Sequence, residues 1–277
     1  MRKNHIPFSV LMSLYINEKA EYFRECMESV LNQTVPPKEI VIVKDGPISE
    51  EVESVLQQYI NNNLSLIKVV AYTPNKGLGY ALNKGIKACS NELIARMDTD
   101  DIARRDRFEK QLQKFELNPN LDICGSQIDE FEDTPDRIVA KRSVPTTDKE
   151  IKEYQKRRDS FNHMTVMYKK SAVLKAGNYQ PCLLMEDTYL WVRMILTNAT
   201  CMNCDESLVY VRIGKGMYER RGGWKYFRKY KDGRKKIYDT GYISISDYYY
   251  TLGVQFCFAL MPSYIRGLLY KKILHNK

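Results

Sequence analysis

Residues 8–97 of the chain alternate between short apolar runs and stretches in which apolar residues recur every three or four positions. The apolar runs have the length and composition of buried β-strands, and the periodic stretches have the pattern of amphipathic helices. This alternation predicts an α/β domain in which helices cover the faces of a parallel sheet. The predicted strands are 8–15, 39–43, 66–72 and 92–97, and the predicted helices lie near 22–31, 50–59 and 80–89.

Polar residues follow the predicted strands. Tyr15, Asp45, the 74–79 turn and the acidic run 98–101 all come directly after an apolar run. In open α/β sheets, ligands bind beyond the carboxyl ends of the parallel strands. The sequence therefore predicts a ligand site along one edge of the sheet.

The middle of the chain is less regular, but no internal repeat or low-complexity linker divides it. We expect one domain over residues 1–214 and an extension over 215–277. In the middle part the predicted strands are 123–131, 138–143, 164–168 and 208–213, and the predicted helix is 186–196.

The net charge of the chain is +9, and the excess positive charge is concentrated in the C-terminal extension. Residues 215–236 contain ten Lys or Arg side chains against Glu219 and Asp232, and ten of the 20 tyrosines lie beyond residue 214. The preceding domain is therefore close to neutral. A basic, aromatic extension predicts contact with an anionic partner, either a nucleic acid or a membrane surface.

The extension also contains a candidate interfacial membrane segment. Residues 248–270 combine aromatic and aliphatic clusters, are interrupted by Pro262 and Gly267, and are followed by Lys271 and Lys272. This pattern fits helices lying in a membrane surface better than a spanning helix. The alternative is a helical bundle that packs on the domain and keeps its basic face in solvent.

The seven cysteines are odd in number and scattered, which is typical of reduced core thiols in a cytosolic protein. Cys201 and Cys204 form a CxxC pair, but no second pair stands at the spacing of a zinc ribbon. The N-terminus has no signal-peptide pattern, and no apolar stretch reaches clear transmembrane length. We therefore expect a cytoplasmic location.

Three carboxylates, those of Asp98, Asp100 and Asp101, follow the fourth predicted strand. Carboxylates this close repel one another unless a cation or hydrogen-bond donors neutralise them. Oxygen ligands with open positions suit Mg²⁺ or Mn²⁺ that holds the phosphates of a substrate. The cluster would equally serve as the N-cap of a helix beginning near Ile102, so spacing alone leaves two interpretations open.

Three further motifs are ambiguous when each is taken alone. Asp45 and Gly46 are typical of a turn, although an Asp at a strand end can also bind a nucleobase or a ribose. The glycine-rich 75–79 loop resembles a phosphate-binding loop but lacks the third glycine of GxGxxG. Glu186 and Asp187 begin a predicted helix, where the macrodipole favours acids and where a general base could also stand.

In their order along the chain, these motifs resemble the family 2 inverting glycosyltransferases with the GT-A fold. The similarity extends over residues 6–214 and is greatest to bacterial members that build capsule, exopolysaccharide or O-antigen repeat units. It implies a Rossmann-like, nucleotide-binding mixed sheet flanked by helices. The matching segments are 12–17, 29–34, 39–47, 75–83, 94–102, 107–111, Glu186 and Asp187 with Trp191, 209–213 and 218–224.

The resemblance implies a role for each motif. The expected donor-binding residues are Ser13 and Tyr15 in the nucleotide pocket, Asp45 at the uracil ring, Lys76 and Arg96 near the phosphates, and Asp98 on the ribose side. The expected metal ligand is Asp100, supported by Asp101, with Mn²⁺ or Mg²⁺ bridging the diphosphate. Asp187 would be the general base with Glu186 beside it, and His163 and Trp191 would lie near the acceptor.

The resemblance also implies the reaction and its partners. A sugar would move from a nucleotide sugar, with UDP favoured, to a hydroxyl of a saccharide linked to polyprenyl diphosphate. A single displacement would invert the anomeric configuration. Such an acceptor implies a peripheral protein on the inner face of the cell membrane. Arg220, Arg221 or Arg228 of the extension would meet the acceptor's diphosphate.

Two other functions stay open at this point. The extension could bind single-stranded nucleic acid, but the chain has no RNP, KH, zinc-knuckle or helix-turn-helix pattern, so we expect no nucleic-acid partner. A sugar nucleotidyltransferase would also use a metal and a nucleotide pocket. Those enzymes usually have a glycine-rich, basic loop after the first strand, where residues 13–17 of this chain read Ser-Leu-Tyr-Ile-Asn.

Overall fold

A computed structural model describes residues 5–214 and 222–262 of the chain. These residues form one mixed sheet of nine strands with helices on both of its faces. The strands are β1 (Phe8–Leu14), β2 (Glu39–Asp45), β3 (Ile67–Tyr72), β4 (Leu93–Arg96), β5 (Ile102–Ala103), β6 (Leu121–Phe131), β7 (Ile138–Arg142), β8 (Met167–Lys169) and β9 (Thr200–Arg212). The helices are α1 (Ala20–Leu31), α2 (Glu50–Asn62), α3 (Leu78–Ala88), α4 (Arg107–Leu117), α5 (Asp148–Tyr154), α6 (Lys170–Lys175), α7 (Glu186–Leu196), α8 (Gly223–Asp239) and α9 (Ile245–Leu260).

The sheet is parallel in its first part and mixed in the rest. Strands β3, β2, β1 and β4 lie side by side in that order and are all parallel, which confirms the predicted parallel sheet. Beyond β4 the order continues through β8, β6, β9 and β5, with antiparallel pairs at β4–β8, β8–β6 and β9–β5. The carboxyl ends of β1 and β2 meet at one edge, because Leu14 is paired with Lys44 and Asp45 with Tyr72.

Each face of the parallel part carries its own core. Val10 and Met12 of β1 pack with α1, α2 and α4 on one face, whereas Leu11 packs with α3 on the other. The alternation follows from the two-residue period of a strand, and both faces are buried because helices cover both. Ser49 caps α2 as expected, since its side chain accepts a hydrogen bond from the Val52 N–H.

Helix α3 approaches the sheet through Gly85. A Cβ at this position would lie 2.2 Å from Cδ1 of Leu11 and 3.0 Å from Cγ2 of Val43, both in the core. We therefore expect Gly85→Ala to lower the free energy of unfolding by about 1–3 kcal/mol, as overpacking does. Denaturant unfolding would measure the change.

The matched control is Gly253→Ala in α9, where an added Cβ would meet no atom within 4 Å. Alanine favours a helix over glycine by roughly 0.5–1 kcal/mol, so this variant should be neutral or more stable. Equal stability of the Gly85→Ala protein and the parent would contradict the close packing of α3 on the sheet.

Helices α8 and α9 pack on the domain. Ile237 of α8 and Tyr248 and Leu252 of α9 form a third core cluster with Met185 and Val192. Polar contacts reinforce this packing. Arg157 Nε donates to Asp247 Oδ1 at 2.6 Å, and Arg234 Nη2 donates to the Lys156 carbonyl at 2.8 Å.

Of the two arrangements predicted for the extension, its described part adopts the helical bundle that packs on the domain. The division of the chain at residue 214 stays a prediction. Arg220, Arg221 and the segment 263–277 lie outside the described residues. None of the helices in the described ranges combines the length and the hydrophobicity that crossing a bilayer requires.

Local differences from the sequence prediction concern three segments. Of the two interpretations of the acidic run, the cap of a helix beginning near Ile102 is excluded, because Ile102 and Ala103 form β5 and pair with Tyr210 and Val209 of β9. The strand expected at 164–168 begins only at Met167. A 3₁₀ turn at His163–Thr165 precedes it. Strand β9 begins at Thr200, ahead of the expected 208, because it pairs with β6 along most of its length.

The CxxC pair lies in the interior, as expected of core thiols. Cys201 and Cys204 are both buried, and they belong to different core clusters on opposite faces of the sheet. Cys204 Sγ lies 3.8 Å from Cys124 Sγ, and both are free thiols.

Candidate active site

A cleft of about 380 Å³ opens at the carboxyl ends of β1, β2 and β4, where the sequence predicts a ligand site. We call it the first cleft. It gathers loops that are far apart in sequence, because parallel neighbours end at the same edge of the sheet. Its lining residues are Ser13, Tyr15, Glu18, Asp45, Asn75, Gly77, Leu78, Asp98, Thr99 and Asp100.

Asp45 holds the loop that forms one wall of the first cleft. Its Oδ1 accepts hydrogen bonds from the Lys76 N–H at 2.8 Å and from the Tyr72 hydroxyl at 2.9 Å, and its Oδ2 accepts from the Gly77 N–H at 2.9 Å. Gly46 has a φ of 84°, and a Cβ there would lie 2.7 Å from the Asn75 nitrogen. The pair is therefore a turn that also braces the loop. A carboxylate has about four acceptor sites, so Asp45 can still accept from a ligand.

Four carboxylates surround the floor of the first cleft. Oxygens of Asp98, Asp100 and Asp101 all lie within 4.8 Å of one another. Loss of surrounding water, with the charge of Asp98 adding to it, raises the pKa of Asp100 to about 6. Burial likewise raises the pKa of Asp101 well above its usual range and that of Glu18 to about 7. A divalent cation would relieve this repulsion, so these oxygen donors fit Mg²⁺ or Mn²⁺.

Two arginines fix the acidic loop. Arg96 is only 2% exposed and forms an ion pair with Asp98, while its Nε and Nη1 have no hydrogen-bond partner within the described residues. Arg212 of β9 donates its backbone N–H to Asp101 Oδ1 at 2.9 Å and its Nε to the Asp100 carbonyl at 3.2 Å. The guanidinium of Arg212 also forms an ion pair with Glu25. The loop is therefore held from the sheet below and from β9 beside it.

A second cleft, of about 750 Å³, lies between the start of α7, the end of β7 and helix α8. Asp187 in the first turn of α7 is on its wall, and its side chain is 24% exposed. The residues lining it are Arg142, Asp159, Phe161, His163, Met164, Leu184, Asp187, Gly222, Lys225, Tyr226 and Lys229.

The surroundings of Asp187 suit a general base. Burial, with the neighbouring charge of Asp159 adding to it, raises the pKa of Asp187 to about 7. Its Oδ1 accepts the Thr188 N–H at 2.8 Å, and its Oδ2 lies 3.8 Å from His163 Nδ1. Burial lowers the pKa of His163 well below 6.5, so this ring is neutral, and its Nε2 contacts the Tyr179 hydroxyl at 2.8 Å. A carboxylate that titrates near neutrality in an open cleft can take a proton from a substrate.

Helices α3 and α7, which touch each other, each contribute to the wall of one of the two clefts. Leu78 lines the first cleft, and the next residue, Gly79, packs against the Glu186 side chain, which a Cβ at Gly79 would approach to 2.8 Å. Asp187 follows Glu186 directly and lines the second cleft. The loop of Leu78 in the first cleft and the candidate base in the second are therefore connected through the contact of Gly79 with Glu186.

Residues 9–175 match the model of Glycosyl transferase family 2. The chain belongs to this family. Its relatives include a glycosyltransferase of Haemophilus influenzae, 40% identical over 98% of this chain and 100% of that protein. The amylovoran biosynthesis glycosyltransferase AmsE of Erwinia amylovora is 36% identical over 96% of this chain and 98% of its own. The UDP-Gal:alpha-D-GlcNAc-diphosphoundecaprenol beta-1,3-galactosyltransferase of Escherichia coli is 35% identical over 97% of each chain.

The fold of this glycosyltransferase is GT-A, as the resemblance implied. The mannosyltransferase PcManGT of Pyrobaculum calidifontis, solved in complex with GDP-Man and Mn²⁺, superposes with a TM-score of 0.64. That comparison covers 99% of this chain and 77% of the other at 12% identity, so it establishes the shared fold. The mixed sheet and the helices on its faces agree with it.

The glycosyltransferase brings together most, but not all, of the residues named from its sequence. Ser13, Tyr15, Asp45, Asp98 and Asp100 line the first cleft, and His163 and Asp187 line the second. Six others in the described ranges do not line either cleft. These are Arg96 beneath Asp98, buried Asp101, Lys76 with its ammonium 4.7 Å from the Tyr80 ring centre, Trp191, which is 1% exposed behind His163, Glu186 beside Gly79, and Arg228 over the Trp224 ring.

Sequence reasoning missed several residues of the two clefts in this glycosyltransferase. Glu18 stands in the loop after β1, the same edge as the acidic run, and that position was the available signal. Asp159 and Arg142 carried no signal, because neither ends a parallel strand nor belongs to a recognisable motif. Lys225 and Lys229 were visible only as members of a basic run.

Proposed function

We propose that this glycosyltransferase moves a sugar from a nucleoside-diphosphate donor, with inversion, to a hydroxyl of a saccharide linked to a lipid diphosphate. The observation that carries the proposal is the pair of adjoining clefts. One contains clustered carboxylates suited to a cation and a diphosphate, and the other contains a carboxylate that titrates near neutrality. A donor in the first cleft and an acceptor in the second would meet beside Glu186 and Asp187.

The first cleft is the donor side. Ser13, Tyr15 and Asp45 bind the nucleoside. Asp100 would hold Mn²⁺ or Mg²⁺ together with Asp98, which the sequence placed on the ribose side but whose oxygen lies in the same cluster, and Asp101 fixes the loop. A cation held there would supply positive charge against the charge that develops on the departing diphosphate. Arg96 holds Asp98 in place from below by its ion pair, and its unpaired N–H groups add positive charge under the cleft.

The second cleft is the acceptor side. Asp187 takes the proton of the acceptor hydroxyl while the oxygen of that hydroxyl attacks the anomeric carbon of the donor sugar. The neutral His163 ring, fixed by Tyr179 and by Trp191 behind it, lies beside this carboxylate, with its Nδ1 3.8 Å from Asp187 Oδ2. Attack from the side opposite the leaving diphosphate inverts the configuration in one step, so no covalent sugar–enzyme intermediate is needed.

The relatives support the choice of acceptor. The Escherichia coli galactosyltransferase, aligned along nearly its whole length, is named for a diphosphoundecaprenol-linked GlcNAc acceptor and a UDP-Gal donor. The exposed aromatic side chains of α8 and α9 support a membrane location for this chain. Trp224 of α8 and Tyr249, Tyr250 and Phe256 of α9 are all exposed, and α8 also carries exposed lysines. Aromatic and basic residues together favour a peripheral position on the inner face of the membrane.

A donor screen tests this function. Purified protein with Mn²⁺ should transfer one sugar from a UDP-sugar, with UDP-Gal tested first, to a synthetic GlcNAc-diphosphate-alkyl acceptor. Mass spectrometry would detect the product, and NMR of the anomeric proton should show the β-configuration from an α-linked donor. Retention of configuration, or no transfer from any of a full panel of sugar nucleotides, would refute the proposal.

A further inference from the structure

Three cationic side chains line the second cleft without an ion-pair partner in the described part of the chain. Arg142 stands at the end of β7, and Lys225 and Lys229 stand one turn apart on α8. Within residues 5–214 and 222–262, none of the three forms an ion pair or a hydrogen bond through its side chain. Unpaired positive charges that converge on one cavity from two separate elements form a site for an anion.

Most of the other basic residues of α8 are used elsewhere. Arg234 bonds Thr251 and the Lys156 carbonyl, Lys235 pairs with Asp239, and Lys236 donates to the Pro181 carbonyl. Arg228 lies over the Trp224 ring, with its guanidinium carbon 5.5 Å from the ring centre. Most basic side chains of α8 outside the second cleft therefore have a partner, whereas Lys225 and Lys229 inside it do not. Lys231 is the exception, because it also has no partner in the described part of the chain.

The carboxylates and the cations of the second cleft come from different elements. Asp159 and Asp187 are joined through Thr188, whose hydroxyl donates to Asp159 and whose N–H donates to Asp187. The cations come from β7 and α8 instead. Gly222, the N-cap of α8, also lines the cleft, and the first N–H groups of this 17-residue helix favour an anion. One cavity thus contains both a proton acceptor and an anion site.

We propose that Arg142, Lys225 and Lys229 bind the diphosphate of the acceptor, an inference that rests on the proposed function. Because Asp187 lines the same cavity, the hydroxyl that receives the sugar belongs to the saccharide unit attached directly to the diphosphate. This assignment replaces the expectation for Arg228, which does not line the cleft. Arg220 and Arg221 lie outside the described residues.

Binding of hexyl diphosphate tests the site without requiring sugar transfer. Titration calorimetry in EDTA removes any cation that could draw the probe into the first cleft. We expect Lys225→Ala and Lys229→Ala each to weaken the affinity roughly tenfold, as for a lost charge-assisted hydrogen bond. The matched control is Lys231→Ala, which removes the same charge from the same helix outside the cleft, and it should bind like the parent.

Steady-state kinetics distinguish diphosphate binding from a purely structural role of the two lysines, because only diphosphate binding would change KM for one acceptor and not for the other. In the Lys225→Ala, Lys229→Ala double variant, KM should rise about a hundredfold for a sugar-diphosphate-alkyl acceptor. It should stay unchanged for the matching alkyl glycoside without diphosphate.

Three outcomes would overturn the site. These are no binding of hexyl diphosphate by the parent, equal weakening in the Lys231→Ala control, or equal KM changes for the two acceptors. Failure of the proposed function would look different, because the parent would bind the probe and still transfer no sugar.

Discussion

Asp187→Asn should reduce sugar transfer by about 10²–10⁴-fold, the usual contribution of general acid–base catalysis. The amide has the shape of the carboxylate and can keep the hydrogen bond from the Thr188 N–H through its oxygen. It cannot accept the proton of the acceptor hydroxyl. The first cleft is untouched, so the dissociation constant of UDP with Mn²⁺ should not change. Initial rates and UDP titration calorimetry would measure the two effects.

The pH dependence of transfer by the parent protein tests the same role of Asp187. A base acts when it is deprotonated, and the pKa of Asp187 is raised to about 7. Transfer should therefore fall as the pH drops below about 7 and level off above it. His163, Glu186 and Asp159 face the same carboxylate, but the pKa of His163 is lowered, so this ring would titrate at a more acidic pH.

Asp159→Asn is the matched control for Asp187→Asn. It makes the same chemical change in the same cleft, on the other carboxylate that Thr188 contacts. It should retain most of the activity. Because a neighbouring negative charge is removed, the pKa of Asp187 should fall, and the acidic limb of the profile should move to lower pH. Transfer by Asp187→Asn within tenfold of the parent would exclude Asp187 as the base.

The sequence predicts those site residues that belong to short local motifs. Asp45 and Asp98 follow parallel strands, and the geometry of such strands brings them to one edge whatever the loops do. Asp187 stands in the first turn of a helix with a clear apolar pattern. In each case a short segment determines both the element and the position of its polar residue.

The rest depends on pairings between distant segments. The acidic run reads equally as a helix cap, and what rules this out is the pairing of β5 with β9, more than a hundred residues away. Arg212 fixes the Asp100 and Asp101 loop from that same strand. Likewise, Arg142 becomes part of a cleft only because α8 folds back on the domain. No periodicity within either segment predicts such contacts.

Chelation with EDTA should abolish sugar transfer, and added Mn²⁺ or Mg²⁺ should restore it. The physical reason is the density of negative charge in the first cleft. Oxygens of Asp98, Asp100 and Asp101 cluster together, the charges of Asp98 and Asp100 act on Glu18, and the pKa values of Glu18, Asp100 and Asp101 are raised. Without a cation, these carboxylates would repel the negatively charged diphosphate of the donor. A cation held by these carboxylates would remove that repulsion and would stabilise the leaving group by several kcal/mol.

Asp100→Asn separates the metal role from a general effect of chelation. It removes one charged oxygen ligand, and a loss of several kcal/mol corresponds to roughly a thousandfold slower transfer. The affinity for Mn²⁺, measured by calorimetry, should weaken in the same variant. Asp106→Asn is the control, because Asp106 lies outside the cluster and pairs with Lys110 and Arg104. It should leave both quantities unchanged. Full activity in EDTA, or unaltered Mn²⁺ binding by Asp100→Asn, would show that the carboxylates of the first cleft do not hold a catalytic cation.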